Sequence, residues 1–268
     1  MLKRRVIFWG LAFLVSLYLG AMLFLSKNQR ALQYTPSGVI LSVEDANIPG
    51  LRLINIPVDE FVNVRGWYVP PALGMPIIVY FSGNAGSFTD GRDRFADMVD
   101  DGYGLVAFDY EGFPMSPGEL NEENILADSL AVFDWTAQFS SPIILWGRSL
   151  GTGPANYVAS IRDASALVLE TPFTAAVDVA ADRYPILPVA SLMKDQFLSR
   201  EWIVDVEEPV FVAHGTADRT ISVQHGRDIF ALAKNAKTLW IVEGGTHESL
   251  WDDGLWEQAK VFFADLGL

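Results

Sequence analysis

The run from Val6 to Leu25, VIFWGLAFLVSLYLGAMLFL, carries no charge, and Ser16 and Tyr18 are its only polar side chains. Its twenty residues at helical rise match a bilayer hydrocarbon core of ~30 Å. Nothing polar defines a solvent face, so a soluble amphipathic helix is a poor description. A cleaved signal peptide has a shorter apolar region, roughly 7–15 residues, and a small-residue cleavage site. Leu19-Gly20-Ala21 matches that site poorly, and apolar sequence continues past it. The segment is therefore expected to stay as an anchor over residues 1–30, with the span at about 6–25. Lys3, Arg4 and Arg5 precede the span, and Lys27 and Arg30 follow it. The excess of bases before it favours the N-terminus inside and the rest of the chain on the extracytoplasmic side, periplasmic in a bacterium.

The remaining residues are strongly acidic. Segment 1–30 holds five of the 19 bases and no acid, so the rest carries 14 bases against 33 acids, a net of −19. That argues against nucleic acid, whose phosphates need a basic face. It also gives no attraction to anionic surfaces beyond what the apolar helix provides. The absence of cysteine excludes disulfides and thiolate chemistry, and it fits an oxidising compartment. With three histidines, His214, His225 and His247, a multi-histidine metal site has little to draw on. Neither a metal nor an organic cofactor is expected.

From about Val39 onward, strand-like and helix-like segments alternate. Short β-branched or aromatic runs occupy Leu51–Val58, Val62–Val69, Ile77–Ser82, Leu105–Phe108, Ile143–Trp146, Ala166–Leu169, Val210–Ala213 and Leu239–Val242. Most later runs are continuously apolar, as strands buried on both faces are. Helical patterns fall at Gly91–Asp101, Glu122–Gln138, Gly153–Arg162, Gln224–Lys234 and Leu255–Leu266. Such alternation predicts right-handed βαβ crossovers and a mostly parallel sheet of eight strands with helices on both faces. The first two strands have no helix between them and are expected to form an antiparallel edge hairpin. Residues 31–268 are read as one α/β domain. Within it, about 171–206 has no strand signal and holds Pro172, Pro185 and Pro188, which suggests a small helical cap.

The chemistry centres on Gly147-Arg148-Ser149-Leu150-Gly151, a G-x-S-x-G directly after an apolar strand and before a helix. A serine on that sharp turn is pushed out above the sheet, and the glycines permit the tight packing. Alone the pattern is weak; the strand–turn–helix setting makes Ser149 the nucleophile candidate. The Leu150 N–H would face a developing oxyanion at a helix N-terminus. A serine hydroxyl needs a base. His247, in the loop after the last strand, opens at the same sheet edge. His214 reads as a packed core histidine and His225 as a surface residue, so elimination leaves His247. Asp218, after the strand Val210–Ala213, is the acid that would orient it. Glu170 is the competing carboxylate, more naturally a loop support. The order Ser149, Asp218, His247 is that of α/β-hydrolases. Ser82-Gly83-Asn84-Ala85-Gly86 follows the third strand and should supply the second oxyanion N–H, from Asn84, with Ala85 next. Arg148 reads as a structural ion-pair partner, and Trp251 and Trp256 as packing for the last helix.

Together these segments resemble the α/β-hydrolases, in particular the Bem46-like group of membrane-anchored serine hydrolases, near the serine aminopeptidase-like (S33-type) domains. The resemblance covers about Leu51 to Leu268. It includes Phe81–Gly86, Phe108-Asp109-Tyr110-Glu111-Gly112, Trp146–Gly151, Glu170-Thr171-Pro172-Phe173-Thr174, His214–Asp218 and Gly245-Thr246-His247. It implies a Ser149, Asp218, His247 triad and no cofactor. Two departures stand out. Many members read H-G-N-A where this chain has Ser82-Gly83-Asn84-Ala85, and D-Y-R-G-Y-G where it has Asp109-Tyr110-Glu111-Gly112-Phe113-Pro114. Glu111 thus inverts a charge expected near the site mouth. Glu111 and Ala85 are the candidate substrate-binding residues.

The leading expectation is a membrane-anchored hydrolase of an ester, thioester or amide in a small acyl molecule, lipid or peptide. An aminopeptidase-like enzyme is the alternative, with Glu111 or Glu170 facing a substrate amine. A non-catalytic tethered binding protein of the same fold is the third reading, motivated by Ser82 and Glu111.

Overall fold

The computed structural model describes residues 2–268. It begins with helix α1, Leu2–Gln33, whose 32 residues span about 48 Å. The apolar stretch is bare: Val6, Phe8, Trp9, Leu14, Leu19 and Phe24 each expose more than half their surface. This helix is long and apolar enough to cross a membrane. It also runs eight residues past the expected end of the span, because its last turns pack against the rest of the protein.

The eight expected strands all form. They are β1 (Arg52–Pro57), β2 (Asn63–Val69), β3 (Ile77–Phe81), β4 (Gly104–Asp109), β5 (Ile143–Arg148), β6 (Ala166–Glu170), β7 (Val210–Gly215) and β8 (Ala236–Val242). They make one sheet in the order β1-β2-β4-β3-β5-β6-β7-β8. The β1–β2 and β2–β4 pairs are antiparallel, and every other pair is parallel. Every residue of β3, β4 and β6 is buried, which accounts for their unbroken apolar sequence.

The sheet separates two apolar layers, and successive residues of a strand enter opposite ones. On β3, Ile77, Val79 and Phe81 join one layer, and Ile78 and Tyr80 join the other. The first is covered by α3 (Glu122–Thr136), α4 (Thr152–Ala159) and α8 (Val223–Leu232). The second is covered by α2 (Arg92–Asp100) and α9 (Leu255–Leu266). Between β6 and β7 three short helices, α5 (Ala176–Arg183), α6 (Val189–Leu192) and α7 (Ser199–Trp202), form the cap segment. The chain passes from β3 to β4 on one side, then returns to place β5 on the other side of β3. The carboxyl ends of β3 and β5 therefore flank a topological switch point, where open α/β sheets leave a crevice.

Candidate active site

Ser149 leaves the end of β5 with a positive φ of 52°, a conformation that is strained for a residue with a Cβ. Close packing imposes it. A Cβ on Gly151 would run into the Phe81 carbonyl of β3, and one on Gly147 into the Gly151 carbonyl. Only glycines allow the elbow to sit this tightly on the sheet. The loop after β3 crosses in front, and a side chain at Gly83 would start 3.7 Å from Ser149 Cβ.

His247 Nε2 lies 2.9 Å from Ser149 Oγ, and His247 Nδ1 lies 2.7 Å from Asp218 Oδ2. A carboxylate only accepts, so Nδ1 carries the ring proton and Nε2 is free to accept from the serine hydroxyl. Asp218 Oδ1 accepts the N–H groups of Thr220 and Ile221 at 2.8 and 2.9 Å. His214 Nε2 stands 3.3 Å from Asp218 Oδ2 and 3.0 Å from the Ile221 carbonyl. Both neighbours accept, so that nitrogen is protonated. Burial works against a charge on Asp218. The hydrogen bonds from His214, His247 and Ile221 outweigh it and hold the carboxyl well below the usual carboxylate range. The arrangement can pass a proton from Ser149 to His247 with the acid kept ionised.

Above Ser149 lies a cavity of about 260 Å³. Ser149, Leu150 and Asn84 line one end. The rest is mostly apolar, including Phe173, Val179, Leu187 and Met193 of the cap and Leu25 and Leu32 of α1. Arg183 is the one charged side chain among the described residues lining it.

No family model matches the chain. Among curated proteins it is 30% identical over 234 residues to the uncharacterized protein Rv2307c of Mycobacterium tuberculosis, covering 85% of this chain and 83% of that one. Human ABHD12B is 33% identical over 186 residues, 61% of this chain and 51% of that one. The lysophosphatidylserine lipase ABHD12 of Danio rerio is 30% identical over 225 residues, 68% and 58% of the two chains. The chain thus spans little more than half the length of the ABHD12 relatives. Among solved structures, the Pyrococcus furiosus esterase Pf2001 superposes with a TM-score of 0.69 at 16% identity, covering 87% of this chain and 98% of that one. Thermogutta terrifontis esterase 2 superposes at 0.63 with 20% identity, covering 82% and 96%. The chain belongs to the α/β-hydrolases. It is a serine hydrolase of this fold, in accord with the family resemblance read from the sequence.

As a member of this family, the chain places its other candidate residues unequally. Asn84 lines the cavity, and its side-chain amide donates to the Gln33 carbonyl at the end of α1 at 2.7 Å. The Thr35 N–H donates back to the Asn84 carbonyl at 2.8 Å. The end of α1 is thereby fastened to the loop beside Ser149. Ala85 is exposed and pairs with Thr35 in a two-residue bridge, away from the cavity lining. Ser82 keeps its place, but its buried hydroxyl has no hydrogen-bond partner among the described residues.

Glu111 is not where a mouth residue would be. It is buried, and its carboxylate accepts the Glu119 N–H and the Asn124 amide, both at 3.3 Å. The inverted charge is spent inside its own loop, so it does not line the cavity. Glu170 also stays away from His247. It is fully buried beneath Arg94, whose Nη1 lies 2.8 Å from both carboxylate oxygens, with Arg148 Nε at 3.4 Å and Trp146 Nε1 donating at 3.2 Å. Burial alone would raise this carboxyl; Arg94 and Arg148 reverse it and hold it low. Arg148 spans from Glu170 to Glu248, next to His247. Trp251 and Trp256 stack together against Trp146, as packing for α9.

His225 departs from expectation. It is buried rather than exposed, with Nδ1 2.8 Å from Thr174 Oγ1 and Nε2 3.2 Å from Asp182 Oδ2 of the cap. Its charged neighbours in the chain, Arg227 and Asp228, are exposed; residues 174 and 182 cover His225. Sequence reasoning also missed Asp109. Its carboxylate accepts from Ser87 Oγ, the Phe88 N–H and the Met115 N–H at 2.9–3.0 Å, tying the loop after β3 to the loop after β4. The signal was an aspartate closing an otherwise apolar strand.

Proposed function

We propose that this protein is a membrane-anchored lipid-type acyl ester hydrolase that works through an acyl-enzyme on Ser149. In this reading residues 1–30 are a single-pass anchor. Residues 31–268 form the hydrolase body on the extracytoplasmic side, with about 171–206 as its cap. The observation that carries it is the continuous relay from Asp218 through His247 to Ser149, ending in an apolar cavity. Ser149 Oγ attacks the acyl carbon as His247 Nε2 takes its proton. The N–H groups of Leu150 and Asn84 receive the oxyanion. His247 then protonates the leaving alcohol, and water, activated by the same imidazole, releases the acid.

An apolar cavity beside the nucleophile supports an acyl chain as the recognised part of the substrate. The lysophosphatidylserine lipase relatives make a lipid ester the natural class, and Arg183 is placed to meet an anionic head group. The peptidase alternative loses its motive, because neither Glu111 nor Glu170 is available to a substrate amine.

The test is covalent labelling by a fluorophosphonate, followed by a panel of acyl esters, thioesters and aminoacyl amides. Labelling that is lost in Ser149→Ala and His247→Ala, with long-chain esters turned over fastest, is the expected result. A folded protein that does not label would overturn the enzyme reading. Preference for aminoacyl amides would overturn the substrate class.

A further inference from the structure

We propose that the tip of the cap, residues 184–192, is immersed in the bilayer beside α1, so that the cavity fills sideways from the hydrocarbon. This deepens the lipid-ester reading and, for the route of the substrate, rests on it.

Helix α1 serves as a ruler. It is continuous from Leu2 to Gln33, and the first charge after its apolar run is Lys27. Tyr18 stands seven residues before Leu25, about 10 Å deeper along the axis. Its hydroxyl donates to the Ile186 carbonyl at 2.9 Å. If Leu25 marks the edge of the hydrocarbon, Ile186 lies well inside it.

A second set of contacts fixes the same register at the polar end. The Lys194 N–H donates to Gln29 Oε1 at 2.7 Å, and Arg30 Nε pairs with Asp195 at 3.0 Å. The apolar-to-charged boundary on the cap therefore coincides with that on α1.

The tip has the chemistry that such a position demands. Its sequence, Tyr-Pro-Ile-Leu-Pro-Val-Ala-Ser-Leu, holds no charge, and charges resume at Arg183 and Lys194 on either side. Backbone groups in hydrocarbon must be satisfied internally. Pro185 and Pro188 have no N–H to satisfy. The N–H groups of Leu187, Val189 and Ser191 donate to carbonyls within the tip, to Tyr184, Leu187 and Pro188. Ile186, whose carbonyl is served by Tyr18, leaves 80% of its surface exposed. Leu187, Val189 and Leu192 line the cavity together with Leu25 and Leu32 of α1. A chain passing between these two walls reaches Ser149 without crossing water.

The experiment uses the full chain in nanodiscs of phosphatidylcholine and phosphatidylglycerol. Because the protein has no native cysteine, Ile186→Cys and Leu73→Cys each give a single thiol; Leu73 is fully exposed on a loop. A membrane-impermeant maleimide is expected to modify Leu73→Cys rapidly and Ile186→Cys at least about tenfold more slowly, with the difference abolished by denaturation. An NBD label at Ile186→Cys should be quenched by lipids carrying a doxyl group on the acyl chain. Equal maleimide rates, or no quenching, would overturn the immersion. For the route, Ile186→Glu should slow hydrolysis of a long-chain lysophospholipid in vesicles by at least about tenfold. Turnover of soluble p-nitrophenyl butyrate and fluorophosphonate labelling should stay within about twofold. Equal loss on both substrates, or no loss on either, would overturn lateral entry. A wild-type protein that hydrolyses neither ester would overturn the ester reading instead, and the maleimide result would still decide where the tip lies.

Discussion

The two ends of the cavity are built by different physics. At the Ser149 end, Ser149 and Asp218 follow strands that are buried throughout or nearly so, and His247 follows the half-buried edge strand β8. Glycines admit no slack there, and each polar atom of Asp218 is engaged. At the other end, the walls are α1, the two-turn helix α5 and a proline-rich tip; α6 buries none of its own residues. The first end needs sub-ångström placement to move a proton. The second needs only apolar area and can yield to chains of different length. Position is supplied by the sheet; in the proposed function, selection falls to α1 and residues 173–193.

The largest expected effect breaks the rigid end. Ser149→Ala should lower turnover by on the order of 10⁴-fold or more, and Asp218→Asn by a comparable factor, because the histidine then loses its tautomer control. Steady-state kinetics on a long-chain ester, alongside a melting curve to show the fold is kept, checks both.

The next effect falls on stability. Glu170→Ala leaves Arg94 and Arg148 facing each other without their shared carboxylate, the case in which removing one partner costs about 3–5 kcal/mol. A urea titration should show the midpoint fall sharply. If the loss is below 1 kcal/mol, roughly the worth of an exposed pair, the site is less tightly braced than the comparison holds.

A pH-dependent effect comes from Asp128, buried on α3 next to Glu111. Burial and the Glu111 charge push its carboxyl up to about 8. The unfolded carboxyl titrates near ~4, so between these values the folded state holds a proton that the unfolded state has lost. Stability should therefore be full below pH ~4 and decline as pH rises to about 8. Thermal melts of wild type and Asp128→Asn across that range check the sign: the variant should lack this decline and be the more stable of the two at high pH.

The smallest effect tests the soft end. Arg183→Gln should raise KM for an anionic lysophospholipid several-fold, by about 1 kcal/mol, with kcat and the KM of a neutral ester unchanged. A change in kcat would mean that the cap reaches the chemistry after all.

The strands were legible because burial on both faces leaves only one kind of sequence, an apolar run with turn residues at its ends. Ser149 and His247 were legible because each sits in the loop directly after such a run. Three readings went astray for one physical reason. His225, Glu111 and Ala85 were each judged by their immediate neighbours in the chain, but their surroundings are supplied by other segments. Residues 174 and 182 cover His225, Asn124 and Glu119 draw Glu111 inward, and Thr35 pairs with Ala85. His214 was read correctly as packed, yet its contact with Asp218 needed the turn geometry.

Local pattern settled the layered α/β architecture, a first helix long and apolar enough to cross a membrane, and the chain order of Ser149, Asp218 and His247, since hydrophobic period and turn chemistry act over a few residues. The cavity belonged to the tertiary structure alone. Its walls come from residues 25–33, 84, 149–150, 173–193 and 220–221, segments that no local preference brings together. Burial of apolar surface between them decides its shape.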